Sequence, residues 1–171
     1  HGDILALAKD SRAEPRQQYD LWLADNGASM SISRYMSDFC HMRKAKGSVG
    51  GISADRVPIL GTGVISVLVE DADHPGKFIQ HRFTACYVPE AEVDRLFSLT
   101  MHDMSGGSYA SKNGVMTIET AQGAKFTGRL CASDKHVYFR ARLDPAQYPS
   151  IYLSMEYTTM LTERAFLGND H

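Results

Sequence analysis

A long β-branched stretch that folds back on itself constrains this chain most. Val57, Ile59, Val64, Ile65, Val67, Leu68 and Val69 follow one another with few interruptions. Side chains branched at Cβ crowd a helix but pack well on a pleated sheet, so the stretch reads as one or two strands around Gly61-Thr62-Gly63. Asp71-Ala72-Asp73-His74-Pro75-Gly76 has the chemistry of a hairpin loop. Phe78 to Val88 then reads as the returning strand, stopped by Pro89. Leu21-Trp22-Leu23-Ala24, Val115 to Glu119 and Val137 to Leu143 add further strand-like runs. The expected fold is therefore mainly β, with short helices at its margins.

Three segments read otherwise. Arg34 to Lys46 has the look of a helical turn or loop. Glu90 to Met101 starts acidic and carries apolar residues at Val93, Leu96, Phe97 and Leu99, which predicts a short helix. A second helix is expected over Ile151 to Leu167, capped by Pro149-Ser150 and stopped by Gly168. Its Leu153, Tyr157, Met160, Leu161 and Arg164 fall near one face, as for packing on a core or at a dimer seam. The expected organisation is an N-terminal arm over 1–18, a main domain over 19–143 and a C-terminal helical extension over 144–171.

Composition narrows the function. The chain has 171 residues, the size of one domain, and 43% of them are hydrophobic, enough for a core without disulfide or metal staples. Eighteen Lys and Arg against 20 Asp and Glu give a net charge of −2, which argues against a polyanion as main partner and predicts no direct nucleic-acid role. No apolar stretch approaches the ~20 residues of a membrane-spanning helix. Cys40, Cys86 and Cys131 form no C-x-x-C pair, so they read as reduced thiols in a cytosolic protein rather than a disulfide framework or zinc site. The seven histidines show no H-E-x-x-H or paired spacing, and no metal or organic cofactor is expected. Cys40-His41 reads as a buried thiol beside a surface histidine, and Ser29 lies in no G-x-S-x-G elbow.

The chemistry-bearing candidate is Asp25-Asn26-Gly27-Ala28-Ser29, placed directly after an apolar strand. A buried strand that ends in a carboxylate on a glycine turn holds that group rigidly beside backbone N–H donors. That setting suits a group that polarises water. The plain reading is a strand-to-turn junction, because Asp, Asn and Gly are common turn residues. Gly47-Ser48-Val49-Gly50-Gly51-Ile52 is glycine-dense, as a hairpin tip that closes over a ligand requires, or simply as a loop. Gly61-Thr62-Gly63 is followed by β-branched residues rather than a helix, so it is no dinucleotide-binding loop.

Taken in order, Trp22-Leu23-Ala24-Asp25-Asn26-Gly27-Ala28, Ile59-Leu60-Gly61-Thr62-Gly63-Val64, Tyr87-Val88-Pro89 and Arg95-Leu96-Phe97-Ser98-Leu99 resemble the protease domain of copia-type retrotransposon polyproteins, a branch of the retropepsins. The resemblance covers about residues 19–143. It implies a closed, barrel-like β subunit acting as a symmetric homodimer, with Asp25 catalytic, Asn26, Gly27, Ala28 and Ser29 shaping the active-site loop, and Val49, Gly50, Gly51 and Ile52 in a flap. It also implies a function: endopeptidase processing of the Gag-Pol polyprotein, within cytoplasmic virus-like particles. Two departures stand out. Asn26 occupies the place of the family's Ser or Thr, whose hydroxyl links the two active-site loops across the dimer axis. Arg95-Leu96-Phe97-Ser98 lacks the family's asparagine and second leucine.

An aspartic protease needs two carboxylates sharing one proton. Two such groups about 3 Å apart cannot both ionise, and the pair works as base toward water and acid toward the carbonyl. The chain carries a single Asp-x-Gly, and Asp103-Met104-Ser105-Gly106 is one residue too long and follows no apolar strand. The second Asp25 must then come from a second copy. The competing expectations are a catalytically weakened module of the same fold that assembles or binds, marked by Asn26, and an unrelated β-rich interaction domain. His1 without a preceding methionine and the polar Gly168-Asn169-Asp170-His171 finish are read as ends set by processing.

Overall fold

A computed structural model describes residues 19–50 and 55–148. The predicted N-terminal arm and C-terminal helix lie outside the described residues. The strands are, in chain order, β1 (Asp20–Asp25), β2 (Ile32–Ser33), β3 (Phe39–Lys44), β4 (Ser48–Gly50), β5 (Arg56–Pro58), β6 (Gly61–Glu70), β7 (Phe78–Tyr87), β8 (Arg95–Ser98), β9 (Ser108–Lys112), β10 (Val115–Glu119), β11 (Lys125–Leu130) and β12 (Val137–Leu143). One α-helix, α1 (Leu99–Met104), and single 3-10 turns at Met36–Asp38 and Pro145–Gln147 complete the described elements. The fold is mainly β, and strand pairing closes six strands into a barrel.

Two units interleave along the chain. The first contains described residues 19–31, 67–81 and 95–142; the second contains 32–50, 55–66, 82–94 and 143–148. In the first, the strands are ordered β8-β1-β12-β11-β10-β9. β1 is an inner strand, parallel to β8 (Leu23↔Leu96, Asp25↔Ser98) and antiparallel to β12 (Trp22↔Phe139, Ala24↔Val137). Trp22, Phe97, Phe126 and Phe139 are each 1% exposed and form its aromatic core. Phe139 meets Phe97 edge to face at 5.3 Å and Phe126 at 5.1 Å, while Trp22 stacks on it at 6.4 Å. These separations fall in the favourable range for ring pairs. The loop after β6 is held by the Asp73 N–H on Asp71 Oδ1 at 2.9 Å, and Gly76 takes a φ of +86° there, which glycine adopts without strain.

In the second unit β3 pairs antiparallel with β6, and β2 runs parallel to β7 (Ile32↔Cys86, Ser33↔Tyr87). Its core gathers Phe39, Ile65, Ala85, Tyr87 and Val88. A register shift between Phe39 and His41 lets β3 approach β6 closely: a Cβ on Gly63 would lie 2.0 Å from the His41 carbonyl oxygen. The glycine is therefore a packing requirement inside the strand, and the sequence motif around Gly61 and Gly63 marks close backbone approach rather than a break. Buried Asp38 accepts the Ser33 hydroxyl at 2.5 Å, and its own carbonyl accepts the Tyr148 hydroxyl.

Two expectations are corrected. Only the end of the Glu90–Met101 segment is helical: Arg95–Ser98 is strand β8, and α1 begins at Leu99. Leu96 and Phe97 pair along β1, where ladder hydrogen bonds override the local helix-like spacing. The Arg34–Lys46 segment is a single 3-10 turn followed by β3, whose residues alternate between more and less buried as a sheet edge demands. Val57–Val69 resolves into two strands, β5 and β6.

Candidate functional site

Asp25 is the last residue of β1. Behind it Trp22, Leu23 and Ala24 are all buried, so the carboxylate stands at the mouth of an anchored inner strand and is itself half-buried. The chain then turns: the Gly27 N–H donates to Asp25 Oδ1 at 2.7 Å. A Cβ at Gly27 would come within 3.3 Å of that same oxygen, so glycine keeps the turn tight against the carboxylate. Asn26, Gly27 and Ser29 are exposed, while Ala28 is half-buried.

The turn is tied down from β8 and α1. Ser98, opposite Asp25 in the parallel register, donates through its hydroxyl to the Ala28 carbonyl at 2.6 Å. The Ser98 N–H donates to the Ser31 hydroxyl at 2.9 Å. The Thr100 hydroxyl donates to the Asn26 carbonyl at 3.0 Å. Ser98 is also the N-cap of α1, accepting the Met101 N–H at 3.0 Å, and is fully buried. One serine thus satisfies a helix start and fixes the turn beside Asp25. Sequence reading placed Ser98 within a helix and gave no role to Ser31 or Thr100. The available signal was a serine immediately before a helix-forming run, the N-cap pattern.

The five residues Asp25 to Ser29 are gathered in one turn of the first unit. Of the expected flap, Val49 and Gly50 lie in β4 of the second unit, in an antiparallel pair with β5 (Val49↔Val57, Gly50↔Arg56); Gly51 and Ile52 lie outside the described residues. Arg56 staples that pair through Ser48, its Nε on the hydroxyl at 2.8 Å and its Nη2 on the carbonyl at 2.6 Å. Asp103 is an exposed residue of α1, not the end of a strand.

Other titratable groups of the first unit lie in the sheet, its loops and α1. His81 rests 5.7 Å from both the Phe97 and the His102 rings and 5.5 Å from Phe126. Burial, reinforced by His102, lowers its pKa to about 4, so it is neutral at neutral pH. His102 Nε2 lies 2.8 Å from the Glu119 carbonyl and 3.2 Å from that of Ser108, a pair of acceptors that fixes Nε2 as the N–H. The buried Cys131 thiol has its pKa lowered, chiefly by the Ser133 hydroxyl at 3.2 Å and then by backbone N–H groups. Burial and a 2.6 Å hydrogen bond to Asp134 raise that of Tyr138. Cys40, Cys86 and Cys131 are free thiols. Among the described residues, no three His, Cys, Asp or Glu side chains come together as a metal site would require. No described helix is long and apolar enough to cross a membrane.

No family model, curated protein or solved structure matches the chain.

Proposed function

We propose that the chain is one half of an aspartic endopeptidase, its active site completed by Asp25 of a second copy. The observation that carries this reading is the placement of Asp25. It closes a buried inner strand, accepts the N–H of its own glycine turn, and sits on a turn whose Asn26 and Ala28 carbonyls are held by Thr100 and Ser98. A carboxylate so restrained does not need to reorganise when a water is activated. Because the sequence has only this one Asp-x-Gly, the partner carboxylate is supplied in trans. One Asp25 then takes the proton of the attacking water and the other donates to the carbonyl oxygen of the scissile peptide. The exposure of Asn26 and Gly27 leaves room for an extended peptide to approach the carboxylate.

The resemblance to copia-type retrotransposon proteases extends the proposal to the substrate, the Gag-Pol polyprotein, and to the location, cytoplasmic virus-like particles. A second reading is favoured by Asn26, which stands where that family carries a hydroxyl: a module of the same fold with weakened catalysis that assembles or binds.

The deciding experiment incubates the purified chain, and its Asp25→Ala form, with a precursor containing the chain's own flanking sequence and with a mixture of peptides between pH 4 and pH 7. Cleavage by the parent alone supports the protease. Equal cleavage by both forms, or none by either at concentrations where the chain is dimeric, overturns it and leaves the binding module.

A further inference from the structure

A cavity of about 310 Å³ opens in the first unit. Its size falls at the lower end of small-molecule sites, ~300–1,000 Å³. Tyr19, Glu70, Thr127, Arg129, Tyr138 and Arg140 are among the residues that line it, while the rings of Phe126 and Phe139 beneath it belong to the aromatic core. Strand register explains the grouping. Arg129 on β11 lies directly opposite Tyr138 on β12, and Thr127 and Arg140 lie two residues further along those strands, so all four project from one face of the sheet.

The charges in this cavity are unevenly committed. The Arg140 guanidinium lies 4.4 Å over the Tyr19 ring, a cation–π contact that covers its face and leaves its N–H edge to donate. Among the described residues, Arg129 makes no side-chain hydrogen bond or ion pair. The carboxylate of Glu70 accepts the Gly76 N–H at 2.9 Å, which engages it with the hairpin loop. Two guanidinium forks beside the half-buried Tyr138 ring are the arrangement that receives an oxyanion at one end and a flat apolar group at the other.

We propose that this cavity binds a small aromatic oxyanion, a phosphate monoester or a carboxylate attached to a ring, with Arg129 and Arg140 holding the anionic end. The site is independent of the proposed proteolysis, and its test does not read cleavage.

The test is a titration of the full chain followed by NMR or calorimetry, with phenyl phosphate, benzoate, inorganic phosphate and benzyl alcohol as separate probes. Phenyl phosphate or benzoate is expected to saturate, the tighter of the two naming the head group, and to bind about tenfold more tightly than inorganic phosphate or benzyl alcohol, since each of those lacks one half of the recognition. Arg129→Gln and Arg140→Gln should each weaken binding by about tenfold, the loss of one charge-assisted contact. Glu70→Gln should strengthen it, and Glu70→Gln and Arg129→Gln should keep the thermal midpoint of the parent. Binding of inorganic phosphate as tight as that of phenyl phosphate, or affinities unmoved in both arginine variants, overturns the proposal and reduces these groups to solvated surface charge.

Discussion

Ser98 faces Asp25 across the parallel β1–β8 register, and its hydroxyl reaches past the aspartate to the Ala28 carbonyl at 2.6 Å. The pairing joins the carboxylate strand to the start of α1, because the same oxygen caps the helix at Met101. Any movement of α1 is therefore felt at the turn that carries Asp25. Replacing Ser98 by Ala removes a cap and leaves the half-buried Ala28 carbonyl without its hydroxyl donor at once. The expected loss is about 1–2 kcal/mol of stability, with a larger fall in peptide cleavage than in peptide binding. Ser98→Thr, which keeps the hydroxyl, should restore most of both. Urea unfolding and the split between kcat and KM measure the two effects.

Asp25→Asn should abolish proteolysis and leave the fold intact. The amide oxygen of Asn can still accept the Gly27 N–H, so the turn survives, whereas an uncharged pair cannot take the proton of water. A thermal melt matching or exceeding that of the parent, with no cleavage, is the expected result. Retained cleavage removes Asp25 from the mechanism.

Acid should weaken the first unit through His81. Its folded pKa of about 4 lies below the ordinary 6.5, so the unfolded chain binds the proton more readily than the folded one. The stabilisation is complete above pH 6.5 and is lost as pH falls toward 4. At roughly 1.4 kcal/mol per unit, discounted for a ring not wholly shielded, the loss is on the order of 2 kcal/mol. His81→Phe, packed against Phe97 and Phe126, should flatten the pH dependence. Urea midpoints at pH 4, 5, 6 and 7 for the two proteins check it; parallel curves would exclude His81 as the source.

Gly63→Ala should destabilise the second unit by about 1–3 kcal/mol, the usual cost of forcing extra volume into a packed site. The added methyl would meet the His41 carbonyl, a backbone atom that moves only if β3 moves. Backbone amide shifts confined to β3 and β6, together with a lowered urea midpoint, are the expected signature.

How far the sequence anticipates this structure depends on where each strand hides its side chains. β1, β7, β10 and β12 carry buried apolar residues, and their limits follow the predicted runs closely. β9 has all five residues exposed, so no hydrophobic alternation betrays it. Its signal is the Asn113-Gly114 turn, both residues at positive φ, which joins it to β10. β11 is short of buried residues outside Phe126 and Gly128 and passes for a loop. β8 was hidden by Leu96, Phe97 and Leu99, whose spacing also suits a helix; only its parallel partner, a non-local feature, decides between the two. The Asp25 turn was legible because one strand and one glycine build it. Its supports from Ser31, Ser98 and Thr100 were not, since Ser98 and Thr100 lie some seventy residues away in sequence and a hydroxyl announces no partner.

The last prediction concerns concentration. If the chain's single Asp-x-Gly supplies half of a catalytic pair, each working site contains two chains, and the fraction of chains in sites falls with dilution. Specific activity should therefore be constant well above the dimer dissociation constant and drop in proportion to concentration well below it. Mixing parent chains with a threefold excess of Asp25→Asn chains should also poison the parent, because most parent chains then pair with an inactive partner. Dilution alone could reflect loss of protein to surfaces; poisoning by an inactive copy could not. The two readouts together, beside sedimentation at the same concentrations, test the shared site. Activity that stays constant to the lowest measurable concentration while the chain sediments as a monomer, and that the variant does not poison, would place both acid and base within one chain and overturn the dyad.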